Sequence, residues 1–469
     1  MRILLINPML STRAVYFPLG LGYIASILLN EGCEVRVLDI NALKLGEEDV
    51  AKQIAASGFD IVGITALITQ YTYVKWLTET VRRINPSARI VIGGGLATAV
   101  PEIILKNSEA DISVIGEGED TIREVITALR NNTRLKDVRG IYFKENGNIC
   151  RTELRAPIEN LDSLPLPARH LFPMEKYIGS MDLGFVDPRI RATNLVSSRG
   201  CPYNCVYCCQ DIFSQTFRAR SVPKIIEEIQ LLKRTYNLNG ITFNDDTFVL
   251  DRKRVQSFCA ELIRSNTGIH WACNGRANLV DSELLKTMAN AGCKYIAYGI
   301  ESGNQAILDS LNKKVTVEQA KQAIELTWKA GIFPHAYLMI GMFGETRETI
   351  EDTLRFCKDT CCGFNFSYVT PFPGTMLCRQ ATEAGIMPDV EALLQDGKLN
   401  DIATTLVVNL TGLSDEELGK LKRMAEYRLI VDKLNLRMAL NLYMVNGIRI
   451  LLDSIAAAIA GLVSRLRPR

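Results

Sequence analysis

Short apolar runs alternate with longer stretches of helical spacing over the first 130 residues: Ile3 to Ile6, Glu34 to Leu38, Ile61 to Ile64, Ile90 to Ile92 and Ile112 to Ile115 read as strands with helices between them. That alternation predicts a parallel, doubly wound sheet. Such sheets bind ligands beyond the carboxyl ends of their strands, which here carry Asn7-Pro8, Thr65, Gly93-Gly94-Gly95 and Gly116-Glu117-Gly118-Glu119. Gly93 to Gly95 either offers a bulky ligand backbone without Cβ or merely turns the chain. A dinucleotide site wants G-x-G-x-x-G after the first strand, and Asn7-Pro8-Met9-Leu10-Ser11 lacks it.

Between residues 131 and 190 the pattern turns hairpin-like around Lys144-Glu145-Asn146-Gly147-Asn148 and breaks at Leu164-Pro165-Leu166-Pro167, which marks a linker. Six further strand candidates follow, near Asn194 to Ser198, Ile241 to Asn244, Ile269 to Asn274, Tyr295 to Tyr298, Phe333 to Ile340 and Phe364 to Val369. Six β/α units predict a partial or full barrel. The chain thus divides into a first α/β domain over 1–135, a hairpin and linker over 136–190, a partial (β/α)6 barrel over 191–400 and a helical tail over 401–469.

Composition narrows the function classes. With 469 residues, 47% hydrophobic and 23% charged, the chain is too apolar for disorder and long enough for two or three domains. A net charge of +2, without a basic block interleaved with aromatics, gives nucleic acid no footprint. Met1 to Pro8 reads as a first strand rather than a secretory leader. Thirteen cysteines are too dilute for a disulfide scaffold, so the expected compartment is the reducing cytoplasm, with thiolates available to metals.

The chemistry rests on Ser198-Arg199-Gly200-Cys201-Pro202-Tyr203-Asn204-Cys205-Val206-Tyr207-Cys208-Cys209, directly after the first strand of the second half. Cys201, Cys205 and Cys208 stand at C-x3-C-x2-C, a triplet that chance produces about once in a hundred chains of this composition. One loop can wrap three such thiolates around a 4Fe-4S cube and leave one iron open. Zinc is the competing reading, yet structural zinc wants four closed ligands, and His170, His270 and His335 lie far from the triplet in sequence. Cys209 and the remaining cysteines read as packing residues.

Cys201, Cys205 and Cys208, with the aromatic Tyr207 before the last, resemble the signature of the radical S-adenosylmethionine superfamily. The first domain, with Pro18-Leu19-Gly20-Leu21-Gly22-Tyr23, Gly93-Gly94-Gly95 and Val114-Ile115-Gly116-Glu117-Gly118-Glu119, is similar to the flavodoxin-like, cobalamin-binding domain that precedes the barrel in one large class. Four segments that close predicted strands resemble motifs of that class: Phe243 to Phe248, Gly299 to Gly303, Ile340 to Thr346 and Pro371 to Thr375.

The resemblance implies three cofactors: the 4Fe-4S cluster, S-adenosylmethionine on its open iron, and cobalamin. It implies reductive cleavage of S-adenosylmethionine to a 5′-deoxyadenosyl radical, with an external low-potential donor supplying the electron. Polar residues at barrel strand ends qualify as S-adenosylmethionine ligands: Asp245 or Asp246 for its ammonium, Arg276 for its carboxylate and Glu301 for its ribose. Thr65, Ser113, Gly93, Gly94, Gly95, Gly116 and Glu117 are the expected cobalamin contacts. Cobalamin domains with a histidine lower ligand show D-x-H-x-x-G; no histidine precedes His170, so histidine ligation is not expected.

The expected reaction is methylation of an unactivated carbon or phosphorus centre in a small-molecule or lipid-like substrate. The alternatives are cyclisation, oxidation or rearrangement with the same cofactors, or a non-catalytic iron-sulfur or zinc protein. From Leu418 onward ten Lys or Arg face three Asp or Glu, and Ile448 to Val463 follow helical spacing. That tail reads as packed against the barrel or as a basic amphipathic helix on the inner face of an anionic membrane.

Overall fold

The computed structural model describes residues 1–10, 16–56, 58–180, 187–209, 213–360, 362–402 and 405–433. Seven strands form the first sheet: β1 (Arg2–Asn7), β2 (Glu34–Asp39), β3 (Ile61–Thr65), β4 (Arg89–Gly93), β5 (Ile112–Val114), β6 (Ile141–Glu145) and β7 (Asn148–Arg151). Their order is β2-β1-β3-β4-β5-β6-β7, parallel through β5 and antiparallel beyond it. The parallel part has the flavodoxin-like order, with its switch point between β1 and β3. Its inner strands are apolar runs because helices cover both faces of the sheet, whereas the edge strand β2 exposes Glu34 and Arg36; two separate buried clusters fill those layers.

The hairpin expected in the linker belongs to this sheet. Ile112 pairs with Phe143 and Val114 with Ile141, so the hairpin covers the open edge of β5. The linker beyond it is also docked. Tyr177 donates its hydroxyl to Asp39 Oδ2 at 2.6 Å, and Asn7 donates to Asp39 Oδ1 at 2.8 Å, all three buried where β1 and β2 end.

The second half contains β8 (Ala192–Leu195), the two-residue pair β9 (Ser198–Arg199) and β10 (Arg218–Ala219), then β11 (Gly240–Phe243), β12 (His270–Gly275), β13 (Cys293–Glu301), β14 (Phe333–Ile340) and β15 (Gly363–Tyr368). The order β8-β11-β12-β13-β14-β15 is parallel throughout. No ladder among the described residues joins β15 to β8, so this is an open six-stranded barrel.

Side chains alternate along its strands as the period of two requires. On β14, Ala336, Leu338 and Ile340 lie in the core beneath the helices, while His335, Tyr337 and Met339 face the other way. On β13, Tyr298 points outward and meets Thr327 of the helix Val317–Lys329 at 2.8 Å. The helix Asp415–Lys433 opens the tail and buries Leu418, Leu421 and Ala425 in the barrel's core. The rest of the tail, Ile448 to Val463 included, lies outside the described residues. Among those described, no helix is long and apolar enough to cross a membrane.

One apolar cluster spans both halves. It holds Ile6, Ile64 and Ile92 of the first sheet together with Ile307, Leu311, Met342, Val369 and Leu377 from the barrel side, with Val206 and Tyr207 of the cysteine loop packed on it.

Candidate active site

Backbone bonds to two elements pin the cysteine loop. Val206 N–H donates to Leu311 O at 3.2 Å, and Leu377 N–H donates to Val206 O at 2.8 Å. Gly200, just before Cys201, sits at φ +83°, and a Cβ there would stand 2.2 Å from the Thr216 carbonyl oxygen. Only glycine fits. Cys201 and Cys205 are half-buried and Cys208 is exposed, so all three thiols can be reached from the barrel mouth.

Among the described residues no three His, Cys, Asp or Glu converge on a single-ion site. A cluster needs no such point, because it offers each thiolate its own iron. The electrostatics also favour a cation: although Cys208 keeps an exposed face, crowding by surrounding protein, then Asp246 and the neighbouring thiols, push its thiol up to about 12. Iron reverses that penalty, since a coordinating thiol is deprotonated outright. The donor set therefore fits a cluster.

Asp246 is exposed beside this loop and accepts from the Gly200 N–H; crowding by surrounding protein and the adjacent Asp245 lift its carboxyl above the usual range. Arg276 lies over the Tyr203 ring, 3.6 Å from its centroid, with Nη1 3.9 Å from Cys205 Sγ and Nε bonded to Asn278. Its Nη2 is buried without a partner. An unsatisfied guanidinium N–H beside the open loop fits a ligand carboxylate.

Of the expected ligands, Asp245 is occupied otherwise and Glu301 is held through one oxygen. Asp245 is wholly buried, accepting from Ser197 N–H at 2.7 Å, Ser197 Oγ at 2.6 Å and Ser198 Oγ at 2.5 Å. It shapes the strand leading to the cysteines and has no surface for a ligand. Glu301 stands at φ +69°, where the pairing of β13 with β14 slips, and its Oε1 accepts from Tyr207 OH and Lys313 Nζ, both at 2.8 Å. A left-handed non-glycine at a bulge stores backbone strain, typical of residues held for a site. Lys313 was not legible in the sequence. It lies beyond the helix Gln305–Ser310, in no motif, and only folding buries its ammonium against Tyr207.

The first sheet presents a shelf where β3 and β4 end. Thr65, Gly93, Gly94, Gly95 and Gly116 are all half-buried there. A Cβ on Gly93 would meet nothing within 4 Å, whereas Gly94, at φ +86°, lies against Ala66 O and Thr65 Oγ1. Open space above bare backbone, edged by the exposed Leu67, suits a large planar corrinoid.

Glu117 and Ser113 do not line that shelf. Glu117 is buried, accepting from Ile158 N–H at 2.6 Å and from Arg218 Nη1 at 2.9 Å, and Ser113 is sealed with its hydroxyl on Ala97 O. With Glu119, whose Oε1 is 2.6 Å from Arg199 Nη2, Glu117 clamps the first sheet to the barrel. Arg199 in turn leads directly into Gly200 and Cys201.

Residues 195–357 match the family model of the radical SAM superfamily, and residues 9–126 match that of the B12 binding domain. An uncharacterized methyltransferase of Pyrococcus horikoshii is 34% identical over 368 residues, 78% of either chain. An anaerobic magnesium-protoporphyrin IX monomethyl ester cyclase of Rubrivivax gelatinosus is 30% identical over 394 residues, 81% of this chain and 70% of that one. The radical S-adenosylmethionine methyltransferase TsrM of Kitasatospora setae, solved with cobalamin and a 4Fe-4S cluster bound, superposes with a TM-score of 0.69 at 18% identity, over 82% of this chain and 75% of that one, a likeness of fold. With both domains in this order and three cysteines on the loop that follows β9, the chain belongs to the radical S-adenosylmethionine superfamily, in the class with a B12-binding domain ahead of the barrel, and is an enzyme whose cofactors are a 4Fe-4S cluster, S-adenosylmethionine and cobalamin.

Proposed function

We propose that the enzyme is a methyltransferase acting on an unactivated carbon or phosphorus centre of a small-molecule or lipid-like substrate. The observation that carries this reading is the Glu119–Arg199 contact, which ties the glycine-rich loop of the first sheet to the strand entering the cysteine loop. It brings the shelf and the three thiols to one junction. When bound, the cluster supplies a low-potential electron to S-adenosylmethionine and the corrinoid supplies a transferable methyl group.

The chain's own residues do the holding. Cys201, Cys205 and Cys208 would bind three irons, and Arg276 Nη2 would take the carboxylate of S-adenosylmethionine. Asp246 would take its ammonium, and Glu301, held by Tyr207 and Lys313, its ribose edge. Thr65, Gly93, Gly94, Gly95 and Gly116 would support the corrin. The apolar cluster around Tyr207, Met342 and Phe372 keeps water from the junction, which any radical chemistry requires.

The relative named as a cyclase supports a second reading, ring formation with the same cofactors and no methyl transfer. Reduced, anaerobically reconstituted enzyme, given an external low-potential donor, S-adenosylmethionine and candidate substrates, separates the two. Deoxyadenosine together with a product heavier by one CH2 unit supports methyl transfer; deoxyadenosine without that gain favours the cyclase type; no deoxyadenosine with any substrate removes both.

A further inference from the structure

The open barrel has a lined interior whose residues lie outside the cofactor sites proposed above. Its floor is apolar: Ile190, Ala192 and Ala272 pack with Tyr295, and a Cβ on Gly240 would strike the Ile190 side chain at 2.4 Å. Above it, alternation turns Tyr295 and Ala297 of β13, His335, Tyr337 and Met339 of β14, and Asn365 and Ser367 of β15 inward. Three rings form a continuous wall. Tyr295 and His335 lie 5.7 Å apart between centroids, and His335 and Tyr337 5.2 Å apart in an edge arrangement. The His335 ring can lie flat against the next strand only because Gly363 has no side chain; a Cβ there would stand 2.8 Å from Nδ1.

The first domain closes this wall from the other side. Phe17 N–H donates to Asn194 Oδ1 at 2.7 Å and its carbonyl accepts from Asn194 Nδ2 at 3.1 Å, on the inward side of β8.

The wall's chemistry selects its ligand. Between the levels of Tyr295 and Glu301, no inward position on the six strands is Asp, Glu, Lys or Arg. Below Gly299, whose inward face meets Lys313 Nζ, a phosphate or carboxylate would find no Lys or Arg among the inward side chains. An alkyl chain would cover the exposed Asn365 amide and Ser367 hydroxyl without satisfying them. A flat unsaturated ring matches both the ring wall and its polar rim.

We infer that Tyr295, His335 and Tyr337 are the substrate-specificity residues, and that they seat an uncharged, planar, unsaturated ring bearing a hydrogen-bonding group. This rests on the proposed function in placing substrate inside the barrel, and it excludes the lipid-like option there.

Equilibrium binding of 2-naphthol to the anaerobic holoenzyme with S-adenosylmethionine present, without reductant, tests it apart from turnover. Saturable binding is expected, weakened about tenfold in Tyr337→Ala and in His335→Ala and less in Tyr337→Phe, with Tyr427→Ala as an unaffected surface control. Cluster and corrinoid absorbance must be unchanged in each variant. Lack of saturable binding, binding indifferent to both alanine variants, or tighter binding of 1-decanol or naphthalene-2-carboxylate would overturn the inference. Deoxyadenosine assays are scored separately, so a failed reaction with intact ring binding counts against the proposed function alone.

Discussion

Glu119 of the first domain and Arg199 of the barrel meet at 2.6 Å with both side chains buried. Glu117 also faces Arg199 at 3.4 Å but holds Arg218 as well, so without Glu119 two buried guanidinium groups share one carboxylate, and the uncompensated charge costs more than the pair itself contributes. Glu119→Gln should therefore destabilise the protein by about 3 kcal/mol. Chemical denaturation of the matched apoproteins checks it.

The thiols divide three to one. Cys201→Ala, Cys205→Ala and Cys208→Ala should each abolish the visible iron-sulfur absorption and the iron content of about four per chain. Cys209→Ala should keep both. Iron and sulfide assays after anaerobic reconstitution decide between this pattern and one in which Cys209 substitutes for Cys208.

Arg276 offers a buried N–H with no protein partner. A charged hydrogen bond to a carboxylate accounts for about 1.5 to 3 kcal/mol, so Arg276→Gln should weaken S-adenosylmethionine binding about 10- to 100-fold. Equilibrium dialysis measures it, with unaltered cluster absorbance as the control for folding.

Glu345 gives a pH signature. Burial raises its carboxyl to about 7 against the bonds it accepts from Gly341 and Met342 N–H. The native state thus holds this proton more tightly than the unfolded chain. Its favourable contribution is complete below the unfolded value near 4.5 and disappears as pH rises through 7. Across that window wild type should lose about 3 kcal/mol relative to Glu345→Gln. Unfolding curves of the two proteins at pH 5 and pH 8 give the difference.

Residues 434–469 separate their two readings in one flotation experiment. Binding to anionic vesicles that is lost on truncation after Lys433 assigns the segment to a membrane surface. Equal failure of the full and truncated chains removes the membrane reading.

The inner strands were legible as apolar stretches bounded by turn residues: Phe333–Ile340 appears with the bounds its pattern predicts, and Ile61 to Ile64 differs by one residue. The cysteine triplet was legible because one loop carries all its ligands. Partners distant in sequence were not. Nothing near Asp245 announces that Ser197 and Ser198 saturate it, and nothing near Glu117 announces Arg218, 101 residues on. A strand-end carboxylate looks the same in sequence whether it faces a ligand or a buried arginine. The hairpin was recognised as a hairpin, but its pairing to β5 depends on an edge that linear pattern does not display.

Because Ile6 and Ile64 share one hydrophobic body with Leu311, Met342 and Val369, the two halves are not beads on a string. Grafting this first domain onto a foreign barrel would expose that oily seam on both pieces unless the receiving surface were redesigned with it. Shuffling of such modules must therefore exchange the seam as a unit, and new substrates arise more readily by altering the barrel's inner wall than by swapping whole domains.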